Sequence, residues 1–246
     1  VPFRFHAINF VCGSGKIELK AEYLRIATDA ETDPEVRGFL VSLLAKTGDV
    51  AVFDPLYEAA AAASGRTREN ILISLRVTPR NGEFAKQAAA LLESAGADDL
   101  QKELLIMLAE EGSSYSTDPL IRFVENRGSS EVAGYDPLRF LIVGPENQER
   151  LAAVAESSRP GNDSALLALM HSSGTALLAG LKALDHRFSE ESVAQFLQQA
   201  DIHPVYSSDL VETLQPIAQM DSPSASRRAA RMLLDGMRTV NYDFLN

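Results

Sequence analysis

Nine glycines, Gly48, Gly65, Gly82, Gly96, Gly112, Gly128, Gly144, Gly161 and Gly174, stand 13 to 17 residues apart along the middle of the chain. An interval of that length holds one short helix and one turn, and glycine readily supplies the left-handed residue that ends a helix. Fifteen glycines in 246 residues is close to the average usage of about 7 %, so the spacing carries the information and the amount does not. Between the glycines the apolar residues recur at helical period. Phe84, Ala88, Leu91 and Leu92 form one stripe, Leu100, Leu104, Leu105 and Leu108 a second, and Leu177, Leu178, Leu181 and Leu184 a third. One short helix pair cannot bury such stripes alone, whereas stacked neighbours can.

Pairing the helices places repeats near Ile17, Val50, Asn81, Ser116, Pro145, Gly174 and Ser207, in steps of 29 to 35 residues. A two-helix period of that size predicts an α-solenoid. Start and stop signals fit the grid. Asp33 caps a helix whose first residue is Pro34, with Arg37 one turn after the cap, Lys46 in the last turn and Gly48 as the stop. Ser189 caps Glu190 to Ala200, where Val193, Phe196, Leu197 and Ala200 share a face. Near the end, Leu210, Val211, Leu214, Ile217 and Ala218 form one stripe and Ala230, Leu233, Leu234 and Met237 another. Asp221 caps the second of these helices and Gly236 ends it. The triplet Asp-Pro-Leu occurs at Asp54, Asp118 and Asp136, each either a cap with a first-turn proline or an internal proline. Ile71 to Val77 is short and β-branched at both ends, but Thr67 to Asn70 makes a good helix start, and the segment is read as helical.

Asp33, Pro34, Glu35, Val36 and Arg37, with Pro216 and Asp221 near the C-terminus, resemble the turn and first helix of HEAT-like repeats of the PBS-lyase type. Ser226 stands where that pattern has Val before Arg227. The resemblance covers residues 17 to 236 and implies an all-α solenoid of about seven HEAT-like antiparallel helix pairs, between an N-terminal extended arm (1–16) and a C-terminal tail (237–246). It also implies that the turn Asp and helix Arg knit neighbouring repeats together. Proteins of this kind mostly act as scaffolds, so the resemblance implies a non-catalytic interaction scaffold, or a subunit of a larger assembly, holding a partner protein or peptide. The alternatives it carries are a repeat enzyme or chaperone of the type that attaches bilins to antenna proteins, and a DNA-binding repeat protein.

Charge and chemistry narrow the choice. With 34 acidic and 23 basic residues the net charge is -11, a field that repels phosphate backbones, and no Trp is present to stack on bases. No nucleic acid is expected as partner. No apolar run approaches the roughly 18 residues of a membrane helix, so a soluble, cytoplasmic protein is expected. Cys12 is the single cysteine, which excludes an intrachain disulfide and a cysteine zinc site. The chain begins at Val1 without a charged or apolar leader, as in a processed protein or part of a longer one.

Cys12 to Lys16, CGSGK, echoes a phosphate loop but has Phe10 where the first Gly belongs and Ile17 where Ser or Thr belongs, so it reads as a turn. None of His6, His171, His186 and His203 stands at metal-ligand spacing, and His186 suits a helix C-terminus. Acidic pairs such as Glu110 with Glu111, Asp98 with Asp99 and Glu190 with Glu191 sit at helix ends, where carboxylates cap or solvate. No nucleophile elbow occurs. No catalytic, cofactor or metal residue is therefore assigned. Partner binding is assigned to Phe3 and Phe5 of the arm and to Arg227, Arg228 and Arg231, a basic stripe that reads more readily as the polar outer face of an end repeat. Tyr242, Phe244 and Leu245 in the tail are a second candidate docking arm, or fold back onto the last repeat.

Overall fold

A computed structural model describes residues 18–29, 31–45, 50–76, 82–94, 98–128, 131–200 and 208–243. Phe3, Phe5, His6, Cys12, Gly48, Gly96, His203, Phe244 and Leu245 lie outside the described residues, as does the arm at 1–16. The described residues are all-helical apart from turns and one isolated bridge, Val132 to Tyr135. The helices are α1 (Glu18–Thr28), α2 (Pro34–Ala45), α3 (Phe53–Ala62), α4 (Gly65–Arg76), α5 (Gly82–Ser94), α6 (Asp98–Glu111), α7 (Ser114–Arg127), α8 (Gln148–Glu156), α9 (Asn162–Met170), α10 (Gly174–Arg187), α11 (Glu190–Ala200), α12 (Ser208–Ala218) and α13 (Ala225–Asp243). None of them is long and apolar enough to cross a membrane.

The chain divides into two compact units, Val1–Met107 and Leu108–Asn246. In the first, α1 packs on α2 and α3, α2 on α4, and α3 on α4 and α5. Phe53 of α3 and Phe84 of α5 meet edge to face at 4.7 Å, and both are almost fully buried with Leu40, Leu56, Ile71 and Leu75. Each such side chain contributes about 1.5 to 3 kcal/mol. In the second unit α8 packs on α9 and α10, α9 on α10, α10 on α12 and α13, and α13 on α11 and α12. Every side chain of α9 from Ser164 to Met170 is buried. Gly180 of α10 allows the close approach, since a Cβ there would lie 3.1 Å from Leu169 Cβ.

Local chemistry sets most helix starts. Asp33 Oδ1 accepts the Val36 amide at 3.3 Å, with Pro34 as the first helical residue. Ser189 and Ser192 exchange side-chain and backbone bonds at the start of α11. Gly65, Gly128, Gly161 and Gly174 mark helix boundaries as the spacing predicts, each with positive φ. Arginines close the helix ends. Arg37 donates to Asp29 O and Thr32 O beyond α1, Arg68 to the carbonyls of Ala60, Ala61 and Ala63 at the end of α3, and Arg231 to Ala218 O of α12 at 2.8 Å. The last carbonyls of a helix lack intrahelical donors and carry partial negative charge, so a guanidinium from the next helix satisfies both needs. Two arginines then reach further: Arg68 pairs with Asp99 of α6 at 3.0 Å and Arg227 with Glu190 of α11 at 2.8 Å.

Four expectations need correction. The interval from Gly128 to Gly144 holds no helix in its described residues, because Ala133 and Gly134 both have positive φ and close a tight turn with reciprocal 2.9 Å bonds between Val132 and Tyr135. Asp136 then accepts the amides of Leu138 and Arg139 and starts a single turn, closed by the Phe140 amide on Asp136 O, that does not continue as a helix. Secondly, Gly236 does not stop α13, which runs on to Asp243. The apolar face of Ala230, Leu233, Leu234 and Met237 stays buried across the glycine and offsets its roughly 1 kcal/mol helix penalty. Thirdly, Asp221 does not cap α13: Ser224 Oγ accepts the Arg227 amide, and Asp185 of α10 accepts the Ser226 amide at 2.8 Å. Finally, α4 begins at Gly65, two residues ahead of Thr67. The three Asp-Pro-Leu triplets have three fates. Pro55 lies in the first turn of α3, Pro119 is inside α7, and Pro137 is in the connector after α7.

Candidate functional site in the second unit

The connector between α7 and α8 replaces an expected helix with an irregular backbone that is fixed at several points. Ile142 donates its amide to Ala109 O at 2.9 Å, at the end of α6. Asn147, only 1 % exposed, donates from Nδ2 to Gly112 O (2.7 Å), Ile142 O (3.0 Å) and Thr117 Oγ1 (3.1 Å), and its Oδ1 accepts the Gly144 amide at 2.9 Å. Asp136 also accepts Ser164 Oγ of α9 at 2.5 Å. Buried polar groups held this way lose their desolvation cost and leave the loop a single conformation.

After the turn at residues 137–140 the backbone is irregular through Val143. Leu141 is buried, while Phe140 and Ile142 are 57 % and 56 % exposed. Among the described residues these are the most exposed large apolar side chains. Tyr135 stacks on Phe140 with ring centroids 5.4 Å apart, and the Arg139 guanidinium lies 5.9 Å from the Phe140 centroid. Arg139 Nη2 donates to Ala200 O, the last residue of α11, at 3.1 Å.

Beside this segment is an open groove of about 750 Å³, lined by residues 139–143, the α9 to α10 junction at 170–173, and Leu177, Leu210 and Leu233 among others. His171 is exposed there, its Nδ1 bonded to Leu167 O at 2.8 Å, which places the proton on Nδ1. Ser172 Oγ donates to Ala168 O and offers His171 no nucleophile partner. The groove is open to solvent and its wall is mixed, with somewhat more apolar than polar surface. No group of three or more His, Cys, Asp or Glu side chains among the described residues is placed to hold a metal ion.

The first unit has a smaller hollow, about 410 Å³, whose lining includes Arg68, Glu69, Asp99 and Glu103. Arg68 holds the end of α3, and its hydrogen bond keeps the Asp99 carboxyl below the usual range, against a smaller opposing effect of burial. That hollow follows from helix-end closure.

The basic stripe expected on the last helix is partly committed within the fold. Arg227 Nη1 donates to Met220 O and Asp221 O and its Nη2 to Glu190, while Arg228 and Arg231 are both exposed, Arg231 with its Nε on Ala218 O. The hydrogen bond from Arg227 is the main cause that lowers the Glu190 pKa. Phe140, Ile142 and Asn147 were not singled out by helical spacing. Their signal was present in Gly134, Pro137, Gly144 and Pro145, which bracket the run Phe140 to Val143 and deny it a helix. No protein-family model, no curated protein and no solved structure matches this chain.

Proposed function

We propose that this chain is a non-catalytic interaction module built of HEAT-like helix pairs, stacked within each unit as in an α-solenoid, and that the groove of the second unit grips a short extended segment of a partner protein. The observation that carries this reading is the pinned connector. It holds Phe140 and Ile142 out in water beside the groove, at the cost of their hydration, with a backbone fixed by Asn147. Exposed apolar side chains on a rigid base are what binding hot spots use, because little conformational entropy is lost on docking. The net charge of -11 and the commitment of Arg227 within the fold argue against nucleic acid as the partner.

The test is selection from a random peptide display library against the intact chain and against the F140S/I142S double variant. Enriched peptides are expected to bind the double variant at least about 30-fold more weakly, from the apolar burial lost. The melting temperature of the variant should stay within about 2 °C, since both side chains are exposed in the free protein. No enrichment, or binding indifferent to both substitutions, would overturn the proposal.

A further inference from the structure

The partner segment can be described more closely; this step rests on the groove reading above. We infer that the segment is apolar and carries a carboxylate that sits against Arg139. Thirteen described residues line the groove, and none of them is acidic, although the chain has 34 acidic residues in all. Arg139 is the one permanently charged side chain among them, with His171 the only other titratable one. The hollow of the first unit has the opposite character, with Glu69, Asp99 and Glu103 in its wall. The hollow with no acid among its described lining is thus the one that adjoins the exposed Phe140 and Ile142.

The placement of Arg139 fits recognition of an anion. One donor is fixed on Ala200 O at the end of α11, which sets the plane of the guanidinium, and the ring of Phe140 flanks it. A guanidinium is a planar fork of five N–H donors, so one anchored bond leaves a geometry suited to a two-pronged carboxylate contact. The volume of about 750 Å³ suits a segment of a few residues rather than a whole helix. At long range the acidic surface repels an acidic partner, and added salt screens both effects, so a charge swap in the ligand is a cleaner probe than ionic strength.

The experiment uses synthetic peptides from the display selection, in matched pairs differing only by Glu or Gln, or Asp or Asn, titrated by fluorescence anisotropy against the intact chain. The acid form is expected to bind about tenfold more tightly than the amide form. In the R139Q variant that preference should fall to near unity, and in R139K it should persist in reduced form, charge being kept without the fork. The F140S/I142S variant should weaken both forms alike. The peptide-side comparison does not depend on how any variant folds. Equal affinity of acid and amide forms, or preference for Lys-bearing peptides, with binding still dependent on Phe140 and Ile142, overturns this inference and leaves the interaction module standing. Binding that ignores Phe140 and Ile142 overturns both.

Discussion

Replacing Asn147 by alanine is expected to lower the stability of the chain by about 3 kcal/mol, because several buried groups lose their partners together. The amide of Asn147 serves Gly112 O, Ile142 O, Thr117 Oγ1 and the Gly144 N–H, and the residue is almost completely shielded from water. A net hydrogen bond is worth about 1 kcal/mol, but a buried group left unpaired costs about 1 to 3, and neighbouring losses do not simply add. Asn147→Asp separates hydrogen bonding from packing. It keeps the shape, removes both donors, and turns a carboxylate toward two carbonyl oxygens. Its destabilisation should match or exceed that of N147A at pH 7. The carboxyl of the N147D variant would have a raised folded-state pKa, so the loss should lessen as pH falls through that value and the group regains an O–H donor. Urea denaturation followed by circular dichroism measures both variants. A loss under about 1 kcal/mol for N147A would mean that the connector is held by other contacts.

The second large effect is expected at Gly112, between α6 and α7. Its φ is +68°, and a Cβ there would lie 2.7 Å from Ile142 O and 3.0 Å from Ile142 Cβ. The obstacle is backbone, and Ile142 cannot retreat without straining its amide bond to Ala109 O. Gly112→Ala should therefore cost about 2 to 4 kcal/mol, combining the left-handed backbone penalty with displacement of the connector. Gly128→Ala is the internal control. Its φ is +71° but nothing lies within 4 Å of the added Cβ, so only the conformational cost of about 1 kcal/mol is expected. The G112A/N147A double variant should lose less than the sum of the two singles, since either change already unseats the same segment. Full additivity in denaturation experiments, or equal costs for G112A and G128A, would contradict this picture of the connector.

Where structure follows local chemistry, the sequence was legible. Asp33 with Pro34, the Ser189 cap, and the glycines that bound α4, α7, α9 and α10 act within a few residues of themselves. The helical reading of Ile71 to Arg76 also held, because Gly65 to Asn70 had already begun the helix. What the sequence concealed depended on contacts distant along the chain. Asp185 caps α13 from 41 residues away, a burial pattern carries α13 through Gly236, and Asn147 seats the connector on Gly112 from 35 residues away. The site was hidden for a related reason. Phe140, Leu141, Ile142 and Val143 are ordinary core residues if a helix is assumed, and only the irregular backbone leaves Phe140 and Ile142 exposed. The arginines of α13 looked available because charge says nothing about which carbonyls a guanidinium reaches. Phe3 and Phe5 lie outside the described residues.

The central claim, that the groove beside the connector is where this chain holds a partner segment, is tested most directly by amide hydrogen exchange of the intact chain, with and without a saturating selected peptide. Slowed exchange is predicted in residues 139–143 and 168–173 and around Leu177, Leu210 and Leu233, with residues 50–76 unchanged. Protection centred instead on the hollow around Arg68 and Asp99, or around Arg228 on α13, with residues 139–143 unaffected, would contradict it.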